Sequence, residues 1–139
     1  MVISTGIGSK KGRAVIAREM EMAETQLSIM AMVDAPANMK RPQHLAAWAK
    51  SSGKAHGYKV KVLDKKACEK EGLGALLAVN RGSEDEARFI IMEYKGKGVP
   101  KKTGPVVIIG KGITFDTGGV SIKPSTNLHL MKSDMGGAA

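Results

Sequence analysis

The chain has 139 residues, 42% of them hydrophobic and 25% charged, which is enough for one ordinary domain with a modest core and excludes a disordered chain. Aromatics make up 4%, so the core must come from Val, Ile, Leu, Ala and nine Met, and a single cysteine excludes an intrachain disulfide. The net charge of +9 raises nucleic-acid binding, but residues 1–102 hold +8 of it and residues 103–139 only +1; it is spread over several segments.

Residues 1–9 contain Gly and Ser without pattern and read as a frayed end or a piece of something longer. The N-terminus, MVISTGIGSKKGR, places its basic cluster after a short apolar run, the reverse of a secretory signal, and no uncharged run approaches the roughly 20 apolar residues that span a bilayer. A cytoplasmic protein is the expectation. From about Ser9 to Val33 the pattern is helical: Ile16, Met20, Ala23, Leu27 and Met30 recur at spacings of four and three and predict a core-facing stripe.

Pro36 predicts a helix stop near Asp34. The loop that follows, DAPANMKRP, has side chains that could cap the helix ends or approach a site. Pro42 suits the first turn of a second helix, with Leu45, Trp48 and Ala49 as its buried face and Gly53 or Gly57 as its end. A good N-cap is missing there, because Lys40 and Arg41 precede the proline.

Tyr58–Leu63 alternates apolar and basic residues and predicts a strand with one wet face. A short helix over 65–71 ends at Gly72 and carries Cys68, expected as a small buried hydrophobe. LGALLAVNRGS supplies an apolar segment and a turn, and Phe89–Tyr94 a second strand. The loop KGKGVPKKTGP contributes the densest basic group, Lys95, Lys97, Lys101 and Lys102, with no aromatic residues to stack bases, so a solvated surface is expected and nucleic acid is disfavoured. Val106–Ile109, apolar throughout, predicts a third strand buried on both faces. The order is that of an α/β fold, with helices packed on a mostly parallel or mixed sheet.

Where that apolar run ends, the chain reads GKGITFDTGGVSIKPSTNLHLMKSDMGGAA, with Lys111, Asp116, Lys123 and Asp134 among glycines and hydroxyl side chains. In α/β sheets ligands gather at the carboxyl ends of strands. The glycine spacing fails the phosphate-binding loop, because Gly104 and Gly110 are separated by five residues and Gly112 follows Lys111; GIGSKKG likewise fails the dinucleotide pattern. Two readings of the charged residues stand side by side. One is a pair of Lys–Asp salt bridges in a glycine-rich turn. The other is a cation site, in which carboxylates hold Mg²⁺, Mn²⁺ or Zn²⁺, one lysine loses its proton to become a ligand, and the other stabilises an oxyanion.

This thirty-residue run closely resembles the metal-binding segment of the leucine aminopeptidase family, also called cytosol aminopeptidases. LGALLAVNRGS, FIIMEYKG and the DAPAN loop after a long helix extend the resemblance, with Asp34 where the family's N-x-P-x-N loop has Asn. The resemblance implies a metalloaminopeptidase, a hydrolase active in proteolysis, that releases N-terminal amino acids from peptides by a metal-activated water. It implies that Lys111, Asp116 and Asp134 are ligands of two divalent cations (Zn, Mn or Mg), Asp116 bridging them and Asp134 also meeting the substrate's amino group. Lys123 is then the catalytic lysine, Met131 lines the pocket for the first side chain, bicarbonate serves as base, and the assembly is a homohexamer. The family's N-T-D-A-E-G-R segment does not occur in residues 1–139, which are expected to be the N-terminal part of the catalytic domain, a fragment truncated before that segment and lacking the family's N-terminal domain. The alternatives are an inactive remnant or interaction module, and, behind these, a basic nucleic-acid binder.

Overall fold

A computed structural model of the chain describes residues 8–98 and 104–139. Lys101 and Lys102 of the basic group, and most of the unpatterned first segment, lie outside the described residues. The first helix, α1, runs Lys10–Asp34. The Ser9 side chain caps it by accepting from the Gly12 N–H at 3.0 Å. It ends at Ala35, whose N–H still reaches the Ala31 carbonyl and whose extended ψ of 140° leads into Pro36.

Against expectation, no residue of α1 is buried: Met20, Leu27 and Met30 of the predicted stripe are 57–64% exposed. Periodicity identifies the face that can be covered; covering it takes a second element, and the contact α1 makes is with the 3-10 helix Leu128–Ser133.

After a 3-10 turn at Ala37–Met39 comes α2, Pro42–His56. Its missing N-cap is made good by His44, whose Nδ1 accepts from the Arg41 N–H at 3.1 Å. The buried stripe of α2 is Ala46, Ala49 and Gly53: Ala49 is buried as predicted, while Ala46 and Gly53 take the places expected of Leu45 and Trp48. Trp48 remains 39% exposed. Small residues win because the helix lies close on the strand that follows it: a Cβ on Gly53 would sit 2.6 Å from Val60 Cγ2 and 2.9 Å from the Tyr58 carbonyl oxygen. Gly57, at φ 74°, turns the chain out of the helix.

Strand β1, Lys59–Leu63, pairs antiparallel with β2, Phe89–Glu93, in the register Lys59 with Glu93 through Leu63 with Phe89. Helices packed on this two-stranded sheet make the expected α/β fold, and the pairing among the described residues is antiparallel where a mostly parallel or mixed sheet was expected. Between them lie α3, Lys65–Lys70, capped by Asp64 Oδ1 on the Ala67 N–H at 2.8 Å, and α4, Gly74–Asn80, a short helix where an apolar segment and turn were expected. Asn80 closes the return to β2 by donating to the Asp85 carbonyl and accepting from the Ala87 N–H. Cys68 is buried, as expected, and burial raises its thiol above the ordinary value.

The core around this unit is Ala46, Ala49, Leu63, Cys68 and Ala87, with Met135 buried separately under the C-terminal segment. Val106–Ile109 belongs to no strand and is 73–91% exposed. The predicted third strand, buried on both faces, is therefore corrected to an exposed run that is paired with nothing among the described residues. Among the described residues no helix is long and apolar enough to cross a membrane.

Candidate metal centre

The C-terminal segment, 104–139, folds back on itself by backbone packing. Gly110 lies against Gly137 so closely that a Cβ there would collide with the Gly137 carbonyl, and Gly137 in turn faces the Lys111 N–H. Two glycines are required because two main chains touch. Between them, Asp116 to Lys123 forms a tight loop: Gly118 bridges to Ile122, the Lys123 N–H donates to the Thr117 carbonyl at 3.0 Å, and Gly118 holds φ at 87°. The 3-10 helix then carries Met131 and delivers Asp134 at its end.

These three pieces bring together all four charged residues singled out in the sequence. Lys111 Nζ lies 2.8 Å from Asp134 Oδ2 and 3.5 Å from Asp116 Oδ2, and Lys123 Nζ lies 3.1 Å from the same Asp116 oxygen. Met131 joins them, its Sδ 3.3 Å from Lys123 Nζ. The expected salt bridges are therefore present, and Asp116 is shared by both lysines.

The Gly118 N–H, donating to Asp116 Oδ1 at 2.8 Å, and then the Lys123 ammonium hold the Asp116 carboxyl well below the ordinary carboxylate range. Asp134 first, and Asp116 after it, hold the Lys111 ammonium above the ordinary lysine value. Asp134 Oδ2 is buried and accepts no directed hydrogen bond; its close approach to Lys111 is an ion pair without hydrogen-bond alignment.

That donor set fits a hard divalent cation: two carboxylates and one amine converge, and one carboxylate oxygen is buried without a donor. Lys111 would have to give up its proton to serve as a third ligand. Among the described residues no group of three His, Cys, Asp or Glu gathers, so the lysine is indispensable to the set. A cleft of about 450 Å³ between α3, α4 and the turn at 81–86 lies elsewhere and contains none of these side chains.

The network also fixes a pH window. Asp116 titrates below its ordinary 3.8, so its contribution to stability is complete above that value and is lost as pH falls through the lower, folded-state value. Lys111 titrates above its ordinary 10.5, so its contribution is complete below 10.5 and is lost as pH rises past the folded-state value. The difference in urea midpoint between wild type and Asp116→Asn is thus expected to be flat from about pH 5 to about pH 9 and to narrow only in stronger acid. A difference that already narrows at neutral pH would contradict the network.

Two further residues here carry no mark in the sequence. Lys132 Nζ donates to the Asp34 carbonyl at 2.6 Å, and Lys40 Nζ donates to the carbonyls of Val33 and Lys132 at 2.8 and 2.6 Å. Their partners are main-chain oxygens, which every residue has, so no spacing or motif reveals them.

Comparison with known proteins follows the same residues. The catalytic-domain model of the cytosol aminopeptidase family matches residues 28–139. A probable cytosol aminopeptidase of Methylibium petroleiphilum is 52% identical over 104 residues, covering 75% of this chain and 21% of that protein. The bottromycin maturation enzyme BotP in complex with Mn superposes with a TM-score of 0.79 at 31% identity, over 94% of this chain and 28% of that one. Leucyl aminopeptidase of Trypanosoma brucei in complex with bestatin gives 0.72 at 34% identity, over 79% and 21%. The chain thus spans about a fifth to a quarter of the length of these relatives.

Proposed function

The chain belongs to the cytosol aminopeptidase family, to its catalytic domain, and from that premise we propose that Lys111, Asp116, Lys123 and Asp134 are one half of a two-cation centre that removes N-terminal residues from peptides. The observation that carries the reading is the convergence of two carboxylates on Lys111, with Asp116 shared between Lys111 and Lys123. That BotP, a structural neighbour, is in complex with Mn supports a divalent cation for this fold.

On this reading Lys111, Asp116 and Asp134 would hold the cations. The cations, Zn²⁺, Mn²⁺ or Mg²⁺, supply Lewis acidity and an activated water. Asp134 also receives the free amino group of the peptide. Lys123 stands with its ammonium 3.1 Å from Asp116 and 3.3 Å from the Met131 sulfur, a weak acceptor, so N–H donors remain for the scissile carbonyl oxygen as negative charge develops on it. Met131, half-buried, flanks the first side chain of the substrate. The remaining ligands would come from the family's N-T-D-A-E-G-R segment, which these residues do not include and which would also position bicarbonate as base. The reading carries with it membership of the catalytic domain, which the family match over residues 28–139 supports, and, as parts of the proposal itself, a place in the first part of that domain, a homohexameric assembly and a cytoplasmic location.

The test is hydrolysis of a leucyl amide with and without Mn²⁺. A catalytic domain that contains these residues is expected to require the cation and to lose turnover on chelation. Residues 1–139 by themselves are expected to bind Mn²⁺ weakly and to turn over poorly. Cation-independent hydrolysis by the domain, or rates from the isolated segment near those of intact family members, would overturn the half-site.

A further inference from the structure

Lys40 is 2% exposed, the one charged side chain buried to that degree among the described residues. Burying an ammonium is costly unless its donors are used, and Lys40 faces no carboxylate within ion-pair distance among the described residues. It donates instead to the Val33 carbonyl, one of the last carbonyls of α1, at 2.8 Å, and to the Lys132 carbonyl inside the 3-10 helix at 2.6 Å. Lys132 answers in the opposite direction, its Nζ donating to the Asp34 carbonyl at 2.6 Å. Two lysines thus cross between the negative end of a helix dipole and the turn that holds Met131 and Asp134. All three bonds are short and charge-assisted, the stronger class of hydrogen bond. Gly136, just past the turn, packs 3.9 Å under Val33 Cγ2 if given a Cβ, and Met135 is fully buried, so the turn is pinned on the same side by packing.

We propose that Lys40 is a positioning residue: by clasping the end of α1 to the 3-10 helix it sets where Met131 and Asp134 stand relative to Lys111 and Lys123. The DAPANMKRP loop acquires a role that its sequence left open, since its lysine ties the helix end to the site without touching the site. The clasp rests on the metallopeptidase reading only for what Asp134 and Met131 then do.

The experiment uses the full 139-residue chain labelled for NMR. In Lys40→Met, the side-chain carboxyl resonance of Asp134 is expected to move. Hydrogen-exchange protection at the Asp134, Gly136 and Ala138 amides, which bond to the Met131, Ser133 and Met135 carbonyls, is expected to fall by roughly ten-fold or more, with β1 and β2 amides within about two-fold of wild type. Lys40→Arg, which keeps the charge and donors, is expected to restore most of both signals. An unmoved Asp134 resonance, protection lost equally in the sheet, or no rescue by arginine would overturn the proposal. Lys132→Met, which removes the return bond alone, must give the same local pattern if Lys40→Met does not fold, and a uniform or absent change there overturns it equally.

Mn²⁺ titration of the same samples separates the two ideas. Weakening by roughly 10- to 100-fold in Lys40→Met is expected. Wild type that takes up no Mn²⁺ but shows the exchange pattern would refute the metal reading and leave the clasp standing. Equal Mn²⁺ affinity with an unmoved Asp134 would refute the clasp and leave the metal reading standing.

Discussion

Lys123→Met is expected to lower kcat for a leucyl amide by roughly 10²- to 10³-fold, with KM and Mn²⁺ uptake within about two-fold of wild type. The expectation follows from what Lys123 touches. Its ammonium pairs with Asp116 at 3.1 Å, but Asp116 also has Lys111 at 3.5 Å and the Gly118 N–H at 2.8 Å, so the carboxylate keeps its charge and its place when Lys123 is removed. Methionine retains the length of the stem and its contact surface against Met131 while deleting the donors. On the proposed reading, what disappears is a positive charge facing the developing oxyanion, an interaction stronger in the transition state than in the ground state. Steady-state kinetics in the catalytic domain, with equilibrium dialysis of Mn²⁺, decide the matter. A variant that raises KM and keeps kcat would assign Lys123 to substrate binding instead.

Asp116→Asn is expected to cost more, at least roughly 10³-fold in kcat/KM, together with a loss of Mn²⁺ affinity of about 10²-fold or greater. Asparagine can still accept from the Gly118 N–H, so the loop closed by Gly118 and Ile122 is expected to survive. It cannot neutralise the two lysines that share the carboxylate, and it is a poor bridge between two cations. A folded variant without metal is the expected species, identified by an unchanged circular dichroism spectrum and an empty dialysis profile. Retained Mn²⁺ binding in that variant would remove Asp116 from the centre.

The parts of this fold that were legible in sequence are those whose partners are close in the chain. The stop before Pro36, the helix beginning at Pro42, the alternation of Lys59–Leu63 and the burial of Cys68 are all consequences of local chemistry. Strand pairing is not local: an α/β element order predicts a parallel sheet on average, and α3 and α4 happen to return the chain antiparallel to β1. The apolar stripe of α1 and the run Val106–Ile109 were correctly seen as apolar and wrongly placed inside, because apolarity states a preference for cover and does not provide it. Spacings of 5, 7 and 11 among the four site residues could not show that they meet; the resemblance to a family suggested it, and the backbone packing of Gly110 on Gly137 accomplishes it.

The exposed run Val106–Ile109 leads without interruption into Gly110 and Lys111. Its N–H and C=O groups, unpaired among the described residues, are a template for a strand that adds beside it. Such a strand would fix the main chain two residues from the proposed lysine ligand, so completing the sheet and seating Lys111 would be a single event. On the proposed reading, the cation centre would then take shape only as that strand is added.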